Sequence, residues 1–129
     1  MAKIKLGMHP KNFTAPVKFK LLDGSDAVID VTFKYRTRTE FGAFLDEIYA
    51  ENNAAKPDLD DDKSTMLERA YQTGVERHAE QIMRAVDGWS LDEPFNIENV
   101  NALCDEIPAA ALAIMSVYQS AVNEGRLGN

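Results

Sequence analysis

Two segments near the start of the chain alternate apolar and polar residues. Residues 17–22 read VKFKLL, residues 28–35 read VIDVTFKY, and a DGSD turn lies between them. Because a strand points successive side chains to opposite faces, this alternation predicts a β-hairpin with one apolar face, which in the second strand carries Ile29, Val31, Phe33 and Tyr35. An isolated hairpin is only marginally stable, so we expect helices, or a third strand from the N-terminal arm, to cover that face.

The period changes to that of a helix after the second strand. Residues 37–40, TRTE, have the spacing of a capping box, in which the threonine hydroxyl and the glutamate carboxylate satisfy amides at a helix start. Apolar residues then recur every three or four positions and predict a helix over residues 37–50 that covers the hairpin with a stripe of Phe41, Phe44, Leu45, Ile48 and Tyr49. Of these residues, we expect Phe41 and Phe44 to be structural anchors.

Residues 51–63 read ENNAAKPDLDDDK, with little apolar content, one proline and four aspartates. This composition predicts a flexible acidic loop. Alternate aspartates in it match the first ligand positions of a calcium-binding EF-hand, namely Asp58, Asp60 and Asp62. The match fails at Lys63, where that motif requires glycine, and at Arg69, where it requires glutamate, so we expect no calcium site.

A second capping-box pattern, TMLE at residues 65–68, predicts a longer helix that ends near Ala85. We expect its buried side to carry Leu67, Ala70, Tyr71, Val75, Ile82, Met83 and Val86. Gly88 suits the left-handed residue that terminates a helix, and Pro94 prevents a helix from resuming before it. The chain is therefore predicted to turn a corner over residues 86–96.

The corner, VDGWSLDEPFN, carries two large aromatic residues, Trp89 and Phe95. A buried aromatic side chain removes about 150–250 Å² from water, which can fix a turn that backbone hydrogen bonds do not fix. We therefore expect Trp89 and Phe95 to be structural anchors. The alternative interpretation is that Trp89 lies in an exposed apolar patch and binds a partner.

Two helices are predicted after the corner. Asn96 can cap the first, IENVNALCDE, whose inward residues are Ile97, Val100, Leu103, Cys104 and Ile107. Pro108 is tolerated in a first helical turn and begins the last helix, whose inward residues are Leu112, Met115, Tyr118 and Val122, with Ala111, Ile114 and Ala121 beside them. The final residues, GRLGN, are expected to fray.

These elements predict an α+β fold in one domain over residues 1–129. An N-terminal arm and an antiparallel β-hairpin or small sheet occupy residues 1–36, and a bundle of about four helices, at residues 37–50 and 64–125, packs against it. A chain of 129 residues with 45% hydrophobic content can bury a core of its own.

The net charge of −7 is unevenly distributed along the chain. Residues 1–40 carry eight Lys and Arg against four Asp and Glu, a net charge of +4, whereas residues 41–129 carry six against seventeen, a net charge of −11. Nucleic-acid binding needs a basic patch that releases counterions, so we expect no nucleic-acid partner. The asymmetry could steer a protein partner or align neighbouring copies of the chain.

Signals for targeting, cofactors and catalysis are missing from the sequence. There is no run of 18 apolar residues and no secretory signal at the start, so we expect a cytoplasmic location and no membrane partner. His9 and His78 have no cysteine pair with which to form a zinc site, and the glycines form no phosphate-binding loop. Cys104 lies on an apolar helix face, where a thiol stays protonated. We therefore expect no metal, no cofactor and no enzymatic activity.

Several segments, in their order and spacing, resemble the tail assembly chaperones of long-tailed bacteriophages and prophages. They are NFTAPVKF, VTFKYRTRTEF, VDGWSLDEPFNIENV, PAAALAIMSVYQSA and GRLGN, and together they cover most of the chain. The resemblance implies a non-enzymatic protein that binds the long, aggregation-prone tape-measure protein in the host cytoplasm and keeps it soluble until tail-tube subunits polymerise around it. It also implies absence from the mature virion. Other tail proteins and further copies of the chain are additional candidate partners.

A protein that holds amphipathic helices needs an apolar groove between helices and a charged exterior, and the acidic helical part offers both. The candidate contact residues are Tyr71, Val75, Ile82, Trp89 and Tyr118. The alternative function is a structural tail-completion or terminator-like subunit that stays in the virion and forms a ring by strand addition at the hairpin edge.

Overall fold

A computed structural model describes residues 4–54 and 65–125 of the chain. Within these residues the fold has three strands and four helices, in the order β1 Asn12–Lys20, β2 Asp26–Lys34, α1 Arg38–Ala54, α2 Met66–Ala85, β3 Val86–Trp89, α3 Ile97–Glu106 and α4 Pro108–Glu124. The strands form one antiparallel sheet in the order β1-β2-β3. The predicted α+β class is confirmed.

Strands β1 and β2 form the predicted hairpin. Their register pairs Val17 with Ile29, and the first strand begins earlier than predicted, at Asn12. The alternating pattern sets which side chains face the helices, and the buried ones are Ala15, Val17, Ile29, Val31 and Phe33. The opposite face of the hairpin, which carries Thr14, Lys18 and Asp30, is exposed.

The turn of the hairpin follows from the DGSD segment. Gly24 has a φ of +87°, a conformation that glycine adopts without steric cost. Asp23 Oδ1 accepts hydrogen bonds from the Ser25 hydroxyl at 2.6 Å and from the Ser25 amide at 2.9 Å. Because both bonds favour the ionised carboxylate, they lower the pKa of Asp23.

The third strand of the sheet comes from the corner after α2, not from the N-terminal arm. Strand β3 is antiparallel to β2, with Trp89 opposite Val31. The expectation of a left-handed Gly88 at a helix end is wrong, because α2 ends at Ala85, Val86 is already extended and Gly88 lies within β3. The edge of β2 supplies the hydrogen-bond partners for this segment, and a local pattern does not reveal a partner so distant in sequence.

Side-chain caps begin two of the helices as predicted. At α1, the Thr37 amide donates to Glu40 Oε1 at 2.9 Å and the Glu40 amide donates to Thr37 Oγ1 at 3.2 Å, so the capping box is formed. At α3, Asn96 Oδ1 accepts from the Asn99 amide at 2.9 Å. The second predicted capping box, at α2, is wrong because Thr65 makes no side-chain capping hydrogen bond.

Helix α1 continues to Ala54, so the first residues of the predicted acidic loop are helical. The rest of that predicted loop, residues 55–63, lies outside the described residues. The same holds for residues 126–129 of the predicted fraying end, whereas Gly125, with a φ of 72°, terminates α4.

The core is centred on the ring of Tyr118 in α4, which is 0% exposed. This ring stacks on Phe33 at a centroid distance of 5.2 Å. The rings of Phe41 and Phe44, which are 5% and 3% exposed, meet it edge-on at 5.4 and 6.0 Å. The first turns of α1 are therefore held to the sheet and to α4 by aromatic packing.

The hydroxyl of Tyr118 places a polar group beside this aromatic cluster. It donates to the Lys34 carbonyl at 2.9 Å and accepts from Arg36 Nη1 at 2.9 Å. Arg36 also donates to the Arg84 carbonyl at 3.2 Å, and its guanidinium lies 4.4 Å from the centroid of the Phe44 ring. These contacts join the end of β2 to the end of α2 and to the middle of α4.

Several apolar residues that the helical stripes predict to be buried are exposed: Leu45, Tyr49, Leu67, Ala70, Tyr71, Ile97 and Leu112. These burial predictions are wrong. Small residues form much of the buried helix contact instead, and at most 2% of each is exposed in Ala79, Ala85, Ala110 and Ala111. Periodicity shows which side of a helix is apolar, but it does not show how far a neighbouring helix extends along it.

Candidate protein-binding surface

Helix α2 carries an apolar stripe that is only partly covered. An apolar residue recurs every three or four positions: Leu67, Tyr71, Val75, Ala79, Ile82 and, directly after the end of the helix, Val86. The last three belong to the core and are at most 2% exposed, whereas Leu67 is 70% and Tyr71 is 78% exposed, with Val75 partly buried. We call Leu67, Tyr71 and Val75 the distal face of α2.

The surroundings of the distal face leave room for a partner helix. Ala70 and Gly74 lie beside it, and a Cβ added to Gly74 would meet no neighbouring atom within 4 Å among the described residues. Glu68 and Glu76 are exposed on the same turns. The distal face can therefore accept a second apolar helix at close range, with carboxylates near the contact.

A second apolar face lies on α1. Leu45 is 45% and Tyr49 is 71% exposed, one helical turn apart. Arg84 Nη2 lies 2.6 Å from Glu51 Oε1, an ion pair that links the last turns of α1 and α2 and raises the pKa of Arg84. Tyr71 precedes Arg84 by about 20 Å along the axis of α2. The α1 face and the distal face therefore lie near different ends of α2.

Trp89 and Phe95 stabilise the corner that follows α2. Their rings meet edge to face at a centroid distance of 5.2 Å, and Trp89 Nε1 donates to the Glu93 carbonyl at 2.7 Å. Both rings are partly buried against the core. Ser90 adds a link to β2, because its hydroxyl accepts from the Asp30 amide at 2.9 Å and its own amide donates to the Asp30 carbonyl at 2.9 Å.

A groove of about 500 Å³ lies between this corner, the turn end of the hairpin and α3. Its lining is mainly apolar and includes Phe19, Trp89, Leu91, Leu103 and Ile107. Two exposed carboxylates, Glu93 and Glu106, also line it. We call this feature the α3 groove.

The described residues include no cluster of metal ligands and one buried free thiol. Within residues 4–54 and 65–125, no three His, Cys, Asp or Glu side chains are grouped closely enough to hold a metal ion. Burial raises the pKa of the Cys104 thiol to about 11, so this thiol is protonated near neutral pH. Over the same ranges, no single helix is long and apolar enough to cross a bilayer, and only α3 and α4 taken together, with a 110° bend between them, have that length and composition.

Comparison with models of protein families places the chain in one family. A family model described as phage tail assembly chaperone matches residues 1–129, the whole chain. The chain belongs to the phage tail assembly chaperone family. Comparisons with curated proteins and with solved structures give no significant match. Membership of this family implies a non-enzymatic role.

In this tail assembly chaperone, the five predicted contact residues lie in three places. Tyr71 and Val75 lie on the distal face of α2, and Trp89 lines the α3 groove. Ile82 and Tyr118 are 0% exposed, so they can contact a partner only if the core opens. Of the five, the structure places only Tyr71 and Val75 together on one open surface.

Sequence reasoning missed Leu67 as a surface residue of the chaperone, and it missed the α3 groove. A signal for the first was present, because α2 has 20 residues and α3 only 10, so α3 cannot cover the full length of α2. No local pattern in the sequence indicates the α3 groove. Phe19 and Leu91 are far apart in sequence, and only the pairing of β3 with β2 brings them to one site.

Proposed function

We propose that this chaperone binds the tape-measure protein of its phage in the host cytoplasm, keeps it soluble until the tail tube forms, and is absent from the mature virion. Family membership supports a role in tail assembly. The observation that supports binding of the tape-measure protein is the distal face of α2, where Leu67 and Tyr71 are 70% and 78% exposed on one side of a helix. An open apolar stripe of this kind is the surface to which amphipathic partner helices bind.

A single contact of this type is expected to be weak. Full burial of a leucine-sized side chain contributes about 1.5–3 kcal/mol, so Leu67 and Tyr71 together contribute about 3–6 kcal/mol before the entropic cost of association. Association itself costs about 4–15 kcal/mol, and a dissociation constant of about 1 mM already requires a net −4 kcal/mol, so one copy binds one helix segment no more tightly than the millimolar range. Several copies along one tape-measure protein can cover it and still be displaced by tail-tube subunits.

The charge of the chain supports the same role. Residues 41–129 carry a net charge of −11, and the carboxylates near the distal face, Glu68 and Glu76, are exposed. A complex coated with such chains repels other complexes, which opposes aggregation while apolar stripes are being covered.

Co-expression with the tape-measure protein of the same phage tests the proposal. With the wild-type chaperone, the tape-measure protein should remain in the soluble fraction and co-purify. The double variant Leu67→Asp, Tyr71→Asp should reduce co-purification at least tenfold, because it places two charges in an apolar contact. The matched control is Leu112→Asp, which changes a leucine on α4 that is 61% exposed and lies outside the distal face.

Two results would contradict the proposal at different levels. A tape-measure protein that stays insoluble with the wild-type chaperone would refute the function itself. Normal co-purification of the double variant would leave the function standing but would assign the contact to another surface. Mass spectrometry of purified virions tests the last part, since the chaperone should be missing from them.

The free edge of β1 is poorly suited to the alternative function, in which a virion subunit forms a ring by strand addition. The bonds from the Tyr35 amide to the Lys11 carbonyl and from the Leu21 amide to the Ser25 carbonyl show that odd-numbered residues of β1 pair with β2. Even-numbered residues therefore point their backbone groups to the free edge. Pro16, in the middle of that edge, has no amide to donate, so it interrupts the ladder that an added strand requires.

A further inference from the structure

The N-terminal arm, residues 4–11, presents apolar side chains that are largely uncovered. Ile4 is 91%, Leu6 is 94% and Met8 is 71% exposed. Lys5 separates the first two of these residues, and Lys11 ends the arm. The arm is therefore a basic segment with a short row of apolar side chains.

The α3 groove has the complementary properties. Its lining is mainly apolar, its volume is about 500 Å³, and its carboxylates are Glu93 and Glu106. The whole chain shows the same division, with a net charge of +4 in residues 1–40 and −11 in residues 41–129. The arm and the groove thus match in both polarity and charge.

The arm of the same copy cannot place all three of its apolar side chains in this groove. The arm joins β1 where the Lys11 carbonyl bonds to Tyr35, whereas the groove lies at the other end of the hairpin, beside Phe19. The strand from Lys11 to Phe19 spans about 27 Å. Met8 lies only three residues before Lys11 and reaches at most about 10 Å from it. An arm whose three apolar side chains lie in the groove must therefore come from another copy.

We propose that two copies of this chaperone exchange their N-terminal arms, with each arm lying in the α3 groove of the other copy. A leucine-sized side chain buries about 100 Å², so one arm and the groove surface that it covers bury about 600 Å² in total. One such contact is too small for a stable complex, but a reciprocal pair buries about 1,200 Å², the lower limit for specific interfaces. The exchange is therefore reciprocal, and it forms a weak dimer as protein concentration rises.

Sedimentation equilibrium of the full chain, over about 5 to 500 µM, tests this dimer. The wild-type mass should rise from the 14.4 kDa of one chain toward twice that value. The double variant Ile4→Asp, Leu6→Asp should raise the dissociation constant at least tenfold, and the fold should be retained because both residues are more than 90% exposed. Leu112→Asp, on α4, is the matched control and should leave the constant unchanged.

A charge exchange identifies the groove as the acceptor of the arm. Lys5→Glu alone and Glu106→Lys alone should each weaken the dimer several-fold, and the two substitutions together should restore most of the loss. Three results would overturn the proposal: a wild-type chain that stays monomeric over the whole range, a dimer that the arm variant does not weaken, or an equal effect of Leu112→Asp. None of these depends on the tape-measure protein, so dimerisation and the proposed chaperone function fail or stand separately.

Discussion

Replacement of Tyr118 by phenylalanine removes a single oxygen atom from the centre of the fold. In the wild type that oxygen donates to the Lys34 carbonyl and accepts from Arg36, both at 2.9 Å. A neutral hydrogen bond contributes about 0.5–1.5 kcal/mol and one to a charged group about 1.5–3 kcal/mol, so Tyr118→Phe should lower the free energy of unfolding by about 2–4 kcal/mol. The ring contacts with Phe33 and Phe41 remain, so the loss comes from the hydroxyl and not from packing.

Urea unfolding followed by the fluorescence of Trp89 measures this loss. With a slope of about 2 kcal/mol per molar urea, the midpoint should fall by about 1–2 M while the slope itself stays constant. Tyr49→Phe is the matched control, because it removes the same atom from a side chain that is 71% exposed, and it should change the midpoint very little. Equal midpoints for the two variants would refute the view that the Tyr118 hydroxyl links β2, α2 and α4.

Three further predictions use the same unfolding assay. The pKa of the Cys104 thiol is about 11 in the folded chain, against an ordinary 9.0. The free energy of unfolding should therefore keep its full value below pH 9 and fall by about 2–3 kcal/mol as the pH rises from 9 to 11. Cys104→Ala should remove most of that pH dependence. Thr37→Ala removes one hydrogen bond of the capping box and should lower the free energy of unfolding by about 1 kcal/mol. Ile82→Ala should lower the free energy of unfolding by about 2–5 kcal/mol, because Ile82 is 0% exposed. Leu67→Ala, at a position that is 70% exposed, should change that free energy by less than about 0.5 kcal/mol.

The parts of the fold that the sequence predicts correctly are those with local physical causes. The DGSD turn, the capping box at Thr37 and the cap at Asn96 each depend on groups within a few residues of one another. Alternation in VIDVTFKY is equally local, since each side chain direction follows from the backbone of that strand. Such signals need no knowledge of the rest of the molecule.

The errors arise where distant parts of the chain decide the outcome. Strand β3 is short and contains Gly88, so its local pattern resembles a turn, and only the edge of β2 makes it a strand. The exposure of Leu67 depends in the same way on where α3 ends. Of the candidate contact residues, Ile82 and Tyr71 share one stripe of α2, and the sequence alone does not show which of them is covered.

The division of that stripe has a consequence for how the chaperone can work. Its C-terminal half stabilises the fold through Ile82, and its N-terminal half is free to bind, so binding at Leu67 and Tyr71 requires no core contact to break. A holdase that had to open its core would lose several kcal/mol on every binding event, which is comparable to the whole contribution of about 3–6 kcal/mol available from these two side chains. An extended helix that presents its own apolar stripe avoids that loss. Under the function proposed above, association and release along a tape-measure protein would depend on a few exposed side chains, and the folded body of the chaperone would be left unchanged.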